Sequence, residues 1–287
     1  MRITVLLIAL CCLIDIQAQN RSQELLFTAG PNYRSSGWLI GLGVSTMWGQ
    51  QDHEIEFLAI PDSPDAGSYL GTFPPKGRIG LHAEFGMFWL TENSFFDYVD
   101  ATVSYKQHLG TEEFTALKQP NSLDTLPDML AGQGEFTQDM VALNVNLNKA
   151  FPFKTHWYGL AGIGADIEYR IINSASYDIS YPGLNMLPPD ESLYAHFHVK
   201  AGVGYKTSAR SWLSLTAETP IENIVPFNGI ESRKTVFNSK YRPVLITLRY
   251  QWLRKRPNRE CPTGPKKQNL KKKGKGGRSK MKDGQIR

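Results

Sequence analysis

Eight segments of this chain alternate apolar and polar residues with a period of two. In the clearest, Ile79, Leu81, Ala83, Phe85, Met87 and Trp89 lie on one side, and Arg78, Gly80, His82, Glu84, Gly86 and Phe88 on the other. An extended strand sends successive side chains to opposite faces, whereas a helix mixes these two sets. Trp157–Ile171 and Leu193–Lys206 repeat the pattern, and Trp38–Ser45, Val99–Lys106, Val141–Asn148, Trp212–Thr219 and Val244–Trp252 follow it over shorter lengths. Most approach the ~9–11 residues of a tilted membrane strand.

The connections alternate in length. Long loops are expected over 49–76, 110–134, 173–191 and 220–239, and short turns over 91–96, 151–155 and 207–210. Most prolines of the body fall in the long loops, where a missing N–H breaks no ladder; Pro243 is the exception. Long connections at one end and short turns at the other are the layout of outer-membrane barrels. A soluble lipocalin-like barrel has the same strand number, with its apolar face inward. Three features favour the membrane form. Trp38, Trp89, Tyr105, Trp157, Tyr169, Tyr205, Tyr250 and Trp252 stand toward the ends of the apolar faces, as interfacial girdles require. The polar faces are rich in glycine, which suits a narrow interior. Their charges nearly balance, with Arg78, Lys106, Arg170, Lys200, Lys206 and Arg249 against Glu84, Asp100, Asp166, Glu168 and Glu218.

Residues 1–18 read as a signal peptide, with Arg2 at the front, an apolar run Ile3–Ile14 too short to span a bilayer, and Ala18 before the cut. Leu10 before Cys11 argues against a lipoprotein signal, and removal of Cys11 and Cys12 leaves Cys261 as the one mature thiol. No later stretch offers ~18 consecutive apolar residues. The net charge of +5 is unevenly spread: fourteen Lys and Arg against Glu260 and Asp283 give residues 254–287 a charge of +12 and leave −7 on 19–253. Lys266, Lys267, Lys271, Lys272, Lys273, Lys275, Arg278, Lys280 and Lys282 are broken up by glycines, a composition that buries no core and is expected to be disordered when free. Behind an export signal, a nucleic-acid target has no support. The expected organisation is signal peptide 1–18, N-terminal periplasmic segment 19–36, barrel 37–253 and basic periplasmic tail 254–287.

Eight strands enclose a space that side chains just fill. Arg78, His82, Glu84, Asp166, Glu168, Arg170, His196, His198, Lys200 and Arg249 are therefore expected to form a lumen network rather than an open pore. His196 and His198, two apart on one face, suggest a metal site with His82 and Glu84. Their strands are not neighbours in the expected order, so the network reading is preferred, with no metal, cofactor or catalytic residue assigned. For a surface protease the candidates are Asp52, His53 and Glu54, and no histidine falls on the lipid face where a lipid-modifying enzyme would use one.

Over Gly37 to Leu253 this architecture resembles the small outer-membrane barrels of the OmpA and OmpX type. The fold that this implies is all-β, an eight-stranded antiparallel up-and-down transmembrane barrel carrying a disordered basic tail. The resemblance transfers no catalytic residue. Members of that group are mostly structural, adhesive or accessory, which counts against an enzyme; the function expected for this chain is a non-enzymatic accessory or structural subunit of an outer-membrane complex, in assembly, secretion or envelope tethering. A lipid-modifying or proteolytic surface enzyme is the alternative. The expected partners are outer-membrane lipid, proteins of that complex and, through the tail, peptidoglycan. The expected location is the outer membrane, with long loops extracellular and both termini periplasmic.

Overall fold

The computed structural model describes residues 27, 29, 32–50, 54–58, 68–91, 95–120, 127–178, 191–225 and 232–256. Residues 1–18 and the tail from 257 onward, with all its candidate partner-binding lysines and Arg278, lie outside these.

The strands are β1 (Tyr33–Gln50), β2 (Ile55–Leu58), β3 (Ser68–Thr72), β4 (Pro75–Leu90), β5 (Tyr98–Lys118), β6 (Met129–Pro152), β7 (Trp157–Tyr177), β8 (Leu193–Ser208), β9 (Ser211–Val225), β10 (Lys234–Val236) and β11 (Ser239–Lys255). Eight of them pair antiparallel in the ring β1–β4–β5–β6–β7–β8–β9–β11, and β11 pairs back onto β1. Closure leaves the ring without an edge. The three short turns fall where the sequence places them, between β4 and β5, β6 and β7, and β8 and β9.

At the opposite end the strands run further than the alternation suggests. β5, β6 and β7 have 21, 24 and 21 residues, roughly twice the ~9–11 that a bilayer needs. β2 and β3 form a hairpin that continues the sheet beside upper β5, and β10 folds back on β11. Strand pairing thus enters all four regions expected to be loops. The surplus ladder, from Gly110↔Phe136 to Leu117↔Met129, mixes polar and apolar residues on both faces, so it lacks the clean apolar-out, polar-in alternation of the membrane span.

The two faces of the ring are inverted relative to a water-soluble protein. Leu42 and Leu81 are each 64% exposed on the outside, and Leu143, Ile163, Phe197 and Leu248 stand out beside them. Glu84, Lys106, Asp166, His196, Lys200 and Arg249 are buried inside. Soluble proteins rarely leave so large a continuous apolar surface in water, and hydrocarbon is the solvent that suits it. The chain is a membrane-spanning barrel of the outer-membrane type. Trp38, Trp89, Trp157, Tyr205, Tyr250 and Trp252 ring its short-turn end; Trp38 sits opposite Trp252, and Trp157 opposite Tyr205. The other girdle is sparser, with Tyr105, Tyr169 and Trp48, which is 64% exposed and was not singled out from the sequence.

Two irregularities change the expected interior. Between Arg78 and His82, β4 carries one residue more than β5, and the alternation slips. Arg78 consequently lies on the outer surface, 3.5 Å from Glu135, rather than in the lumen. A second register shift, opposite Asp139 and Met140, turns both Ile171 and Ile172 outward and leaves Arg170 half-buried at the end of the polar layer.

Candidate functional site

The inward-facing side chains form three layers. At the short-turn end Phe27 inserts among Tyr98, Tyr158 and Trp212, with ring centroids 5.5, 5.2 and 5.0 Å away, all edge-on. Leu39, Phe88, Leu160 and Leu253 complete this plug. Residue 27 belongs to the stretch expected to be periplasmic, and nothing in its sequence context marked it as a packing residue. At the long-loop end Met47, Phe136, Val236, Phe237 and Tyr241 close the interior, beside a second cluster of Phe57, Tyr69, Phe73 and Phe114. Edge-to-face aromatic pairs add roughly 0.5–1.5 kcal/mol each beyond their buried area.

The charged layer between them is bound together across strands. Arg249 Nη2 donates to Glu84 Oε2 at 2.6 Å, and its Nη1 is 3.5 Å from Asp100. Asn146 and Asn148 each donate to Asp100 at 2.7 Å, and His198 Nε2 donates to Asn146 Oδ1 at 2.6 Å. Lys106 reaches Asp166 at 2.5 Å and Glu168 at 2.8 Å, and Lys234 holds the other oxygen of Glu168. Lys200 lies 3.5 Å from Glu218, directly opposite it on β9. Such pairs offset the cost of burying charge only when every partner is present.

Glycine makes two of these links possible. Glu84 and Arg249 flank Gly41 on either side of β1, and a Cβ at Gly41 would strike the Glu84 side chain. Asn146 and His198 flank Gly164 on β7 in the same way. A residue with no side chain lets the next strands but one bond over it.

Of the residues assigned from sequence to the lumen network, His82, Glu84, Asp166, Glu168, His196, His198, Lys200 and Arg249 are buried in this layer. His82 does not join the other histidines; its Nδ1 lies 3.2 Å from Tyr105 O. Asp166 takes that place, with Oδ1 2.8 Å from His196 Nε2. Sequence reasoning missed Lys234, which it placed in a loop, and Asn144, Asn146 and Asn148, whose every-second spacing was the available signal. It also passed over His108, fully buried on β5 with neither ring nitrogen hydrogen-bonded among the described residues. Among the protease candidates, Asp52 and His53 lie outside the described residues, and Glu54 is exposed.

Above the apolar band, Glu112 ties the β10–β11 turn to the barrel. It accepts from Tyr177 Oη at 2.9 Å, from the Asn238 backbone N–H at 3.1 Å and from Asn238 Nδ2 at 3.2 Å. Burial raises its carboxyl above the ordinary glutamate value, against the pull of these hydrogen bonds. The same turn holds Phe237 at φ 55°, the left-handed region that a bulky residue rarely adopts. Its ring compensates by packing edge-on against Tyr177 at 5.1 Å.

No protein-family model and no curated protein sequence matches the chain. Among solved structures, it is similar to Ail, the attachment invasion locus protein of Yersinia pestis, at 11% identity and a TM-score of 0.29, over 76% of this chain and 99% of that one. The same protein in complex with the heparin analogue sucrose octasulfate is similar at 10% identity and the same TM-score and coverage. Similarity at this level transfers no ligand and no residue role.

Proposed function

We propose that this protein is a sealed, non-enzymatic barrel of the outer membrane, an accessory or structural subunit of an envelope complex whose basic tail contacts cell wall or acidic partners. The observation that carries the reading is the interior. Two aromatic plugs bracket a layer of paired charges, which gives the lumen a scaffold's construction rather than a conduit's. The outer surface is committed to lipid. An even number of strands returns the chain to the side where it entered, so the tail lies with the N-terminus on the periplasmic side. Its charge of +12, opposite in sign to the −7 of residues 19–253, suits anionic targets there.

Affinity purification from outer membranes, with the full chain and with a chain ending at Arg256, tests this. The cut lies just beyond β11 and spares the barrel. At low salt the full chain is expected to retain cell wall or protein partners that the truncated chain loses, and added salt should release them. Retention of every partner by the truncated chain would overturn the role of the tail. A stable open conductance of porin size from the full chain in planar bilayers would overturn the sealed barrel.

A further inference from the structure

Going beyond the sealed-barrel reading, we propose that Asp166, His196 and His198 form a structural site for one borderline divalent transition-metal ion, of which Zn2+ is the type. One ligand atom from each comes within 4.8 Å of the others, and all three residues are buried. Asp166 Oδ1 lies 2.8 Å from His196 Nε2 and 4.0 Å from His198 Nδ1.

The neighbouring hydrogen bonds fix which lone pairs face inward. Asn146 gives its amide N–H to Asp100 Oδ1 at 2.7 Å, so its carbonyl oxygen is the atom turned to His198. The proton of that 2.6 Å contact therefore sits on His198 Nε2, and Nδ1 carries a lone pair. This Nδ1 faces Asp166 Oδ1, and neither atom has a hydrogen-bond partner among the described residues. Asp166 Oδ1 and His198 Nδ1 are thus two buried acceptors 4.0 Å apart, with His196 Nε2 2.8 Å from the carboxylate oxygen, and a cation among the three atoms satisfies them together. An imidazole ligand whose other nitrogen donates to an oxygen acceptor is the usual outer arrangement of a metal-binding histidine. The second oxygen of Asp166 is held by Lys106 at 2.5 Å, which aims Oδ1 at the two imidazoles.

In this layer the carboxylates of Glu84, Asp100, Asp166, Glu168 and Glu218 are matched by Lys106, Lys200, Lys234, Arg249 and, at its end, the half-buried Arg170. Lys106 and Lys234 approach Asp166 Oδ2 and Glu168, leaving Asp166 Oδ1 and the imidazole nitrogens for the ion. Two nitrogens and one carboxylate oxygen suit Zn2+ or Co2+; Ca2+ and Mg2+ require more oxygen ligands. With both ends plugged, the ion is expected to enter during folding and to exchange slowly afterwards.

The test is to refold the full chain into detergent with excess Co2+ or Zn2+, remove unbound ion and count what remains. One ion per folded barrel is expected, retained on brief exposure to chelator. X-ray absorption of the Zn2+ form should show a first shell of light atoms containing two imidazoles. The double variant H196Q/H198Q, checked for folding by heat-modifiable gel migration, should lose the ion. Folded wild-type protein with far less than one ion would overturn the proposal. So would full occupancy in the folded double variant, which would place the ion elsewhere in the chain. If the variant does not fold, the wild-type absorption spectrum decides: two imidazole ligands support the site, and a shell without them refutes it. Failure of any of these leaves the sealed-barrel reading standing, because that reading is tested by conductance.

Discussion

Lys106 joins two carboxylates of the polar lumen, with Asp166 and Glu168 both within 2.8 Å. Lys106→Met leaves two buried carboxylates without their shared cation. It should lower stability by about 3–5 kcal/mol, the usual effect of removing one partner of a buried pair. Arg78→Ala removes only an exposed contact to Glu135 and should stay within about 0.5 kcal/mol of the parent. Urea unfolding in lipid vesicles measures both, and equal effects would contradict the assignment of Lys106 to the lumen and of Arg78 to the surface. The sequence separates these two basic positions poorly. Lys106 sits in clean alternation, and its inward face is legible. Arg78 sits in an equally clean alternation that a single extra residue on β4 reverses, and a bulge of this kind depends on the partner strand.

At the scale of elements, the turn between β10 and β11 is expected to respond to pH through Glu112. Because the Glu112 carboxyl is raised by burial, the folded cap binds its proton more tightly than the unfolded chain does. Its contribution is therefore complete below the ordinary glutamate range and is lost as pH rises through the raised value. Hydrogen exchange of residues 236–241, corrected for intrinsic rate, should show protection falling over that window. Glu112→Gln should flatten the profile, and identical profiles for parent and variant would rule Glu112 out as the cause. This cap was invisible in the sequence. Its contacts join Glu112, Tyr177 and Asn238 from three separate strands and turns, and its residues follow no period. The transmembrane parts of the strands were readable because lipid on one side and packed polar groups on the other impose strict alternation. Beyond the bilayer that constraint ends, and so did the sequence signal for the upper parts of β5, β6 and β7.

In the whole molecule, lipid covers the outside and a packed polar core fills the inside. Phe197 stands outward near the middle of β8, and Phe197→Arg should cost about 2–4 kcal/mol if that position lies at the bilayer midplane. The most direct measurement is a scan of single cysteines along β8, from Leu193 to Lys206, each carrying a fluorophore in liposomes that contain nitroxide-labelled lipid. Strong quenching is expected at 193, 197, 199, 203 and 205, and little at 194, 196, 198, 200 and 204 wherever the labelled barrel still folds. Quenching in the opposite phase, or none at any position, would contradict an inside-out barrel in lipid.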